Sequence, residues 1–186
     1  ASWELPAGVT LTDMVIEALR PADPKISFSA LDVALHDSAV NPFDGRLYVL
    51  LDDDLLHLDD RAVKPIIDIE NNLQGRSLAI DADQDRLLIG TEDGLVLVRR
   101  LSDSAVLPDL KTADGSDDSA IHAIAVDAYG TTWAAEQCTI HHRASDASAW
   151  TDYDYCLAQN QEIPSDILIV GDRVYLATES SGVHLL

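Results

Sequence analysis

Basic residues are what this chain lacks most. Its 186 residues hold 12 Lys and Arg against 33 Asp and Glu, formally −21, and only Lys25, Lys64 and Lys111 are lysines. A field of that sign repels nucleic-acid phosphates and anionic lipid heads, so the expected partners include neither nucleic acid nor a membrane surface. No apolar run approaches the roughly 20 residues that cross a bilayer, and membrane insertion is not expected. Glycine totals nine, and no phosphate-cradling glycine loop, Gly-x-Ser-x-Gly elbow or His-Glu-x-x-His pair is present. There is no initiator Met and no basic-then-apolar leader at Ala1-Ser2-Trp3, which suits a processed or a trimmed chain equally.

What the chain does have is a strand pattern in four copies: Arg46-Leu-Tyr-Val-Leu-Leu51, Arg86-Leu-Leu-Ile-Gly-Thr91, Thr131-Thr-Trp-Ala-Ala-Glu136 and Arg173-Val-Tyr-Leu-Ala-Thr178. Their first residues are 40, 45 and 42 apart. A period in that range, with several short strands per unit, predicts an all-β propeller. Four blades of four-stranded antiparallel meander are expected, at 30–69, 75–110, 120–156 and 165–186, within a single domain over 1–186. Each repeat has an apolar inner strand (31–37, 77–81, 121–127 and 166–170) and a turn rich in Asn, Asp or Gly. An alternating third strand follows at 55–58, 95–98, 138–142 and 183–186. Irregular fourth strands are expected at 63–69, 105–110 and 149–156, where Pro65 and Pro108 suit an edge. The last blade has no fourth strand of its own. The apolar residues 14–19 stand in the position of one, before the first inner strand, and are expected to complete that blade and close the ring. The alternative is a larger ring, built with further sequence or a second copy.

Blades two and three resemble the short propeller repeat of sensor regions in bacterial two-component regulators. The matching residues are Ile124-Ala-Val-Asp127, Gly130 and Trp133, with Leu88-Ile-Gly-Thr91 and Gly94 in blade two. The likeness covers about half the chain and implies a propeller with a sensory or binding role. Blade three departs from it at Ala135-Glu136-Gln137-Cys138, and no histidine-kinase or DNA-binding segment lies in these residues.

Cys138 and Cys156 are the two cysteines. With a hairpin turn over 144–149, its centre taken at 147, the pair stand directly opposite on neighbouring strands, close enough for a disulfide. Such a bond implies an oxidising compartment, periplasmic or secreted; two separate buried thiols are the alternative. His141 and His142 are adjacent in a strand, point to opposite faces and cannot share one metal ion. Asp52-Asp53-Asp54, Asp59-Asp60 and the run Asp81-Ala-Asp83-Gln-Asp85 are rich in carboxylate, but lack the glycine and distal Glu of a calcium loop. They read as turn chemistry; no cofactor is expected, and Ca2+ is the one ion left open. Trp150, Tyr153 and Tyr155 lie along an outer strand, and the two tyrosines share a face, forming a contact patch for a sugar or protein or filling space between blades.

The function expected is a non-catalytic binding or assembly module, an extracytoplasmic subunit or ectodomain with a protein partner. The alternatives are a secreted glycan-active or metal-dependent enzyme and a small-ligand sensor. Acidic pairs for glycoside hydrolysis would be invisible among so many carboxylates.

Overall fold

A computed structural model of the chain describes residues 35–51, 54–59, 62–68, 74–112, 120–145, 147–156 and 162–186. The described residues form strands and no helix. Four antiparallel sheets follow one another along the chain. Blade one comprises β1 (Leu35–Val40), β2 (Leu47–Leu51), β3 (Asp54–Asp59) and β4 (Ala62–Asp68). Blade two comprises β5 (Gly75–Asp81), β6 (Arg86–Thr91), β7 (Leu95–Arg100) and β8 (Val106–Lys111). Blade three comprises β9 (Ala123–Val126), β10 (Thr132–Ala135), β11 (Thr139–Arg143) and β12 (Thr151–Asp154). Blade four comprises β13 (Pro164–Val170), β14 (Arg173–Thr178) and β15 (Gly182–Leu185). In each sheet, strands adjacent in sequence are hydrogen-bonded neighbours. Residues 14–19, expected as the missing strand of blade four, lie outside the described residues.

The turn after each inner strand needs a left-handed residue. Gly45, Gly130 and Gly171 supply it in three blades and Asp85, at φ 55°, in the other. That second turn is held by Asp81, whose carboxylate accepts the Gln84 amide at 3.1 Å and Arg86 Nε at 3.1 Å. The aspartate run around it is thus turn chemistry. The first inner strand, expected at 31–37, is described from Leu35 and continues past Asp37 to Val40. Asp37 does not end the strand because its carboxylate binds backbone amides of β1 and β5.

The second and third strands of blade two read as nearly continuous apolar runs because both faces are buried. Their period of two sends alternate residues to opposite neighbours. Leu78, Leu87, Ile89 and Leu97 pack on Tyr48, Leu50 and Leu55 of blade one. Ala79, Leu88, Val96 and Val98 pack on Ile121, Ile124 and Ala134 of blade three. Blade three repeats the device, with Ala123, Ala135 and Ile140 against Ile167, Val174 and Leu176. The inner strands therefore stand in the order β1, β5, β9, β13, each packed on the next, and no comparable packing joins β13 to β1.

These seams are close enough to need a missing side chain. A Cβ at Gly90 would meet Ser77 Oγ and, at 2.7 Å, Ile121 Cβ from the next blade. Gly90→Ala should therefore cost about 1–3 kcal/mol by overpacking, read as a lower urea midpoint; an unchanged midpoint would contradict the packing described for this seam.

Candidate functional site

Register shifts set one side chain in each of blades one, two and four along the inner strands. The inner strands slip between Leu35 and Asp37, Gly75 and Ser77, and Pro164 and Asp166. The residue after each slip, Asp37, Ser77 or Asp166, faces the fifth residue of the repeated second-strand pattern, Leu50, Gly90 or Ala177. Ala123 takes the same place in blade three, opposite Ala135. A bulge re-aims the side chain that follows it, and in blades one and two that side chain latches the blade to the next. Asp37 accepts the amide of Ser38 at 2.6 Å and that of Leu78, in blade two, at 2.7 Å. Ser77 donates its hydroxyl to the Ile121 carbonyl ahead of β9 at 2.8 Å. Asp166 accepts the amide of Ile167 at 2.8 Å.

Between the inner strands is a cavity of about 360 Å³, lined by Asp37, Ser38, Leu78, His122, Ala123, Ile124, Ser165 and Asp166. All four blades contribute. Burial raises the Asp37 carboxyl above its usual range, and the nearby Asp166 charge adds to this, against the pull of the Leu78 and Ser38 amides. Burial and the Arg76 charge lower His122, overcoming Glu179 and Glu136, which act the other way. Neutral imidazole beside carboxylates makes a polar recess with no basic side chain in its lining, suited to receiving a donor or cation from outside. The sequence offered no signal for these residues beyond the repeat itself. Once the slips are known, the pairs His36-Asp37, Arg76-Ser77, His122-Ala123 and Ser165-Asp166 fall into one frame.

The aromatic residues expected as a patch are divided among different surroundings. Trp150 packs into the seam with blade two and meets His141 edge-on at 6.3 Å. Tyr155 packs toward blade four. Its hydroxyl accepts the Cys138 amide at 3.1 Å and donates to the Glu136 carbonyl at 2.8 Å. Burial pushes that phenol up to about 12, so it remains a neutral strut. Tyr153 alone is well exposed, at 51%; it stacks on His142 at 5.4 Å, which stacks on Trp133 at 4.8 Å.

Cys138 and Cys156 form a disulfide with Cα atoms 4.8 Å apart. They are not the directly opposed pair the turn assignment predicted. β11 sets Thr139 against Asp154, so one further step opposes Cys138 to Tyr155, whose amide indeed donates to the Cys138 carbonyl. Cys138 has φ 70°; the left-handed turn past the strand end re-aims its side chain by one position.

His141 is fully buried. Its Nδ1 lies 2.7 Å from Asp152 Oδ1, and Nε2 lies 3.4 Å from Glu136 Oε1, in ion-pair range but without hydrogen-bond geometry. Glu136 in turn accepts the Thr112 hydroxyl at 2.7 Å, tying the end of β8 to blade three. Burial alone would lower His141; the carboxylates of Glu136 and Asp152 outweigh it and raise the imidazole above its ordinary value. Among the described residues, no group of three or more His, Cys, Asp and Glu is placed to hold a metal ion.

No protein-family model matches the chain, and no curated protein matches it in sequence. Solved structures share its fold. The extracellular domain of the putative one component system BT4673 from B. thetaiotaomicron is similar at a TM-score of 0.63 and 18% identity, over 82% of this chain and 21% of that one. The WD40 beta propeller domain of Doa1 gives 0.64 and 13%, over 83% and 52%. The computationally designed Ika4 protein gives 0.59 and 14%, over 86% and 94%. The chain thus spans about a fifth of the BT4673 ectodomain and about half of the Doa1 domain. The fold is an all-β propeller arrangement, and its repeats resemble those of sensor regions.

Two outcomes follow for stability. His141 binds its proton more tightly folded than unfolded, so its contribution is complete below the ordinary value of 6.5 and lost as pH rises through the raised one. His122 has the opposite sign, and stability falls as pH drops through 6.5 toward its lowered value. Urea unfolding across neutral pH should show an alkaline decline that His141→Gln flattens and an acid decline that His122→Gln flattens; unaltered profiles would contradict both assignments. Separately, joining residues 18 apart contributes about 3 kcal/mol in the chain-entropy model. Cys138→Ser with Cys156→Ser should lower the melting temperature, and reductant should have no further effect on that variant.

Proposed function

We propose that the chain is a non-catalytic, extracytoplasmic binding module that engages a protein partner through the axial recess. The observation that carries this is the cavity walled by all four inner strands and bearing Asp37, His122 and Asp166. Both Asp37 oxygens are held by backbone amides, which suits anchoring better than proton transfer. A recess without Lys or Arg, on a chain of formal charge −21, favours a basic side chain projected by the partner. The disulfide supports an oxidising compartment. The exposed Tyr153 ring at the end of its stack is a second contact point on blade three.

The likeness to the BT4673 extracellular domain favours a second reading, a sensor that takes a small ligand in the same recess. Affinity capture from the exported proteins of the source organism separates the two. A protein retained by the wild-type chain, released by salt and weakened about tenfold by Asp166→Asn, a loss of about 1.4 kcal/mol, is the expected result. Equal retention by the variant would contradict the axial site. Thermal stabilisation by a small amine or sugar, with no protein retained, would favour the sensor.

A further inference from the structure

We propose that the Cys138–Cys156 disulfide is a redox lock on the junction of blades three and four, with Tyr155 as the positioning residue that carries its effect. Cys138 is the last residue of the turn before β11, as Gly94 is before β7, and both are left-handed, at φ 70° and 71°. Glycine takes that conformation at no steric cost, whereas a residue with a Cβ adopts it only where its surroundings impose it. Here the imposing groups are the bond to Cys156 and two hydrogen bonds with Tyr155. The Tyr155 amide donates to the Cys138 carbonyl at 3.0 Å, and the Cys138 amide donates to the Tyr155 hydroxyl at 3.1 Å.

The register gives Tyr155 the place in blade three that Thr112 holds in blade two. β8 sets Lys111 against Leu95, and β12 sets Asp154 against Thr139. The next residues out, Thr112 and Tyr155, therefore stand against Gly94 and Cys138. Both reach into the following blade. Thr112 donates to the Glu136 carboxylate of blade three at 2.7 Å. The Tyr155 hydroxyl shares its proton between the Glu136 carbonyl at 2.8 Å and, at the head of blade four, the Glu162 carbonyl at 3.2 Å. Glu162 is buried, and its carboxylate accepts the hydroxyls of Ser181 at 2.6 Å and Ser180 at 3.1 Å. Those serines lie in the turn between β14 and β15, where the Glu179 amide also donates to the Ile163 carbonyl at 3.0 Å. One line of bonds thus runs from the disulfide through Tyr155 and Glu162 to the far turn of blade four. Blade two leaves the same exit to a glycine; blade three makes it covalent with the two cysteines of the chain.

Both cysteines are half-buried, within reach of a small dithiol. In the step proposed, the dithiol gives up two electrons and two protons. The Cys138–Cys156 bond breaks to two thiols, and the dithiol closes to its own disulfide. Cys138 then has no covalent reason to stay left-handed, and its turn relaxes, taking the Tyr155 bonds with it. Blade four keeps its apolar contacts with blade three through Ile167, Val174 and Leu176, so it loosens without the chain unfolding. Ser165 and Asp166, on the wall of the axial recess, follow Glu162 closely in sequence and loosen with it. The lock stands independently of what that recess binds.

Native-state hydrogen exchange on the full chain tests this without any ligand. In reduced dithiothreitol, the amides of β13, β14, β15 and Glu179 should exchange at least about tenfold faster, while those of β2 and β6 change less than about twofold. Reoxidation should restore the slow rates. Tyr155→Phe keeps the disulfide but removes the hydroxyl; it should speed blade-four exchange in the oxidised chain, with little further gain on reduction. Cys138→Gly with Cys156→Ser supplies the residue that blade two has at Gly94, and should exchange more slowly in blade four than the reduced wild type. No change on reduction, or a rise spread evenly over all four blades, overturns the proposal, since the disulfide then contributes global stability alone. Blade-four rates unmoved by Tyr155→Phe, or a glycine variant as fast as the reduced wild type, overturns it as well. Should Tyr155→Phe fail to fold, the distribution over the blades and the glycine variant decide.

Discussion

The described structure depends on sheets that stack face to face through apolar side chains. A repeat unit of this kind draws much of its stability from its neighbours, and each blade buries alternate residues on the blades beside it. Blade two shows the rule, with Leu87 and Ile89 against blade one and Leu88 against blade three. The same dependence brings polar groups together at the seams. Thr112, Glu136, His141 and Asp152 form a chain of contacts from the end of β8 through blade three. Burial makes such a network costly to disrupt, because the surrounding medium cannot replace lost partners.

The axial recess is a by-product of that stacking. Three of the four inner strands carry a bulge, and the residue that follows it, Asp37, Ser77 or Asp166, lies along the packed inner edges. Asp37 and Ser77 serve as latches between blades, and Asp37 and Asp166 give the recess its acidic groups. A site assembled this way is held in place, since displacing Asp37 breaks the bond its carboxylate accepts from the Leu78 amide of β5. Preorganisation of that kind lowers the cost of the binding proposed above.

Much of the fold was legible because period-two apolar runs bounded by Gly, Asn and Asp are strong local signals. The second strands were read to within one residue, and β6 and β14 match their patterns Arg86 to Thr91 and Arg173 to Thr178 in full. What escaped depended on single-residue departures from regular geometry. The left-handed backbone at Cys138 shifts the disulfide by one place, and no residue type there announced it. Pleat parity separates Trp150, turned to blade two, from Tyr153 and Tyr155 on the other face. His141 looked like half of an improbable metal pair. Its partners Glu136 and Asp152 became visible only through strand register, and Thr112 only through blade packing. The axial residues were hidden by the bulges that aim them.

The claim on which the rest turns is that the seams make the blades one cooperative unit. Differential scanning calorimetry of the oxidised chain tests it most directly. A single transition whose calorimetric enthalpy equals its van't Hoff enthalpy is the predicted result. Two resolved transitions, one belonging to the disulfide-bearing blade three with blade four and the other to blades one and two, would contradict it.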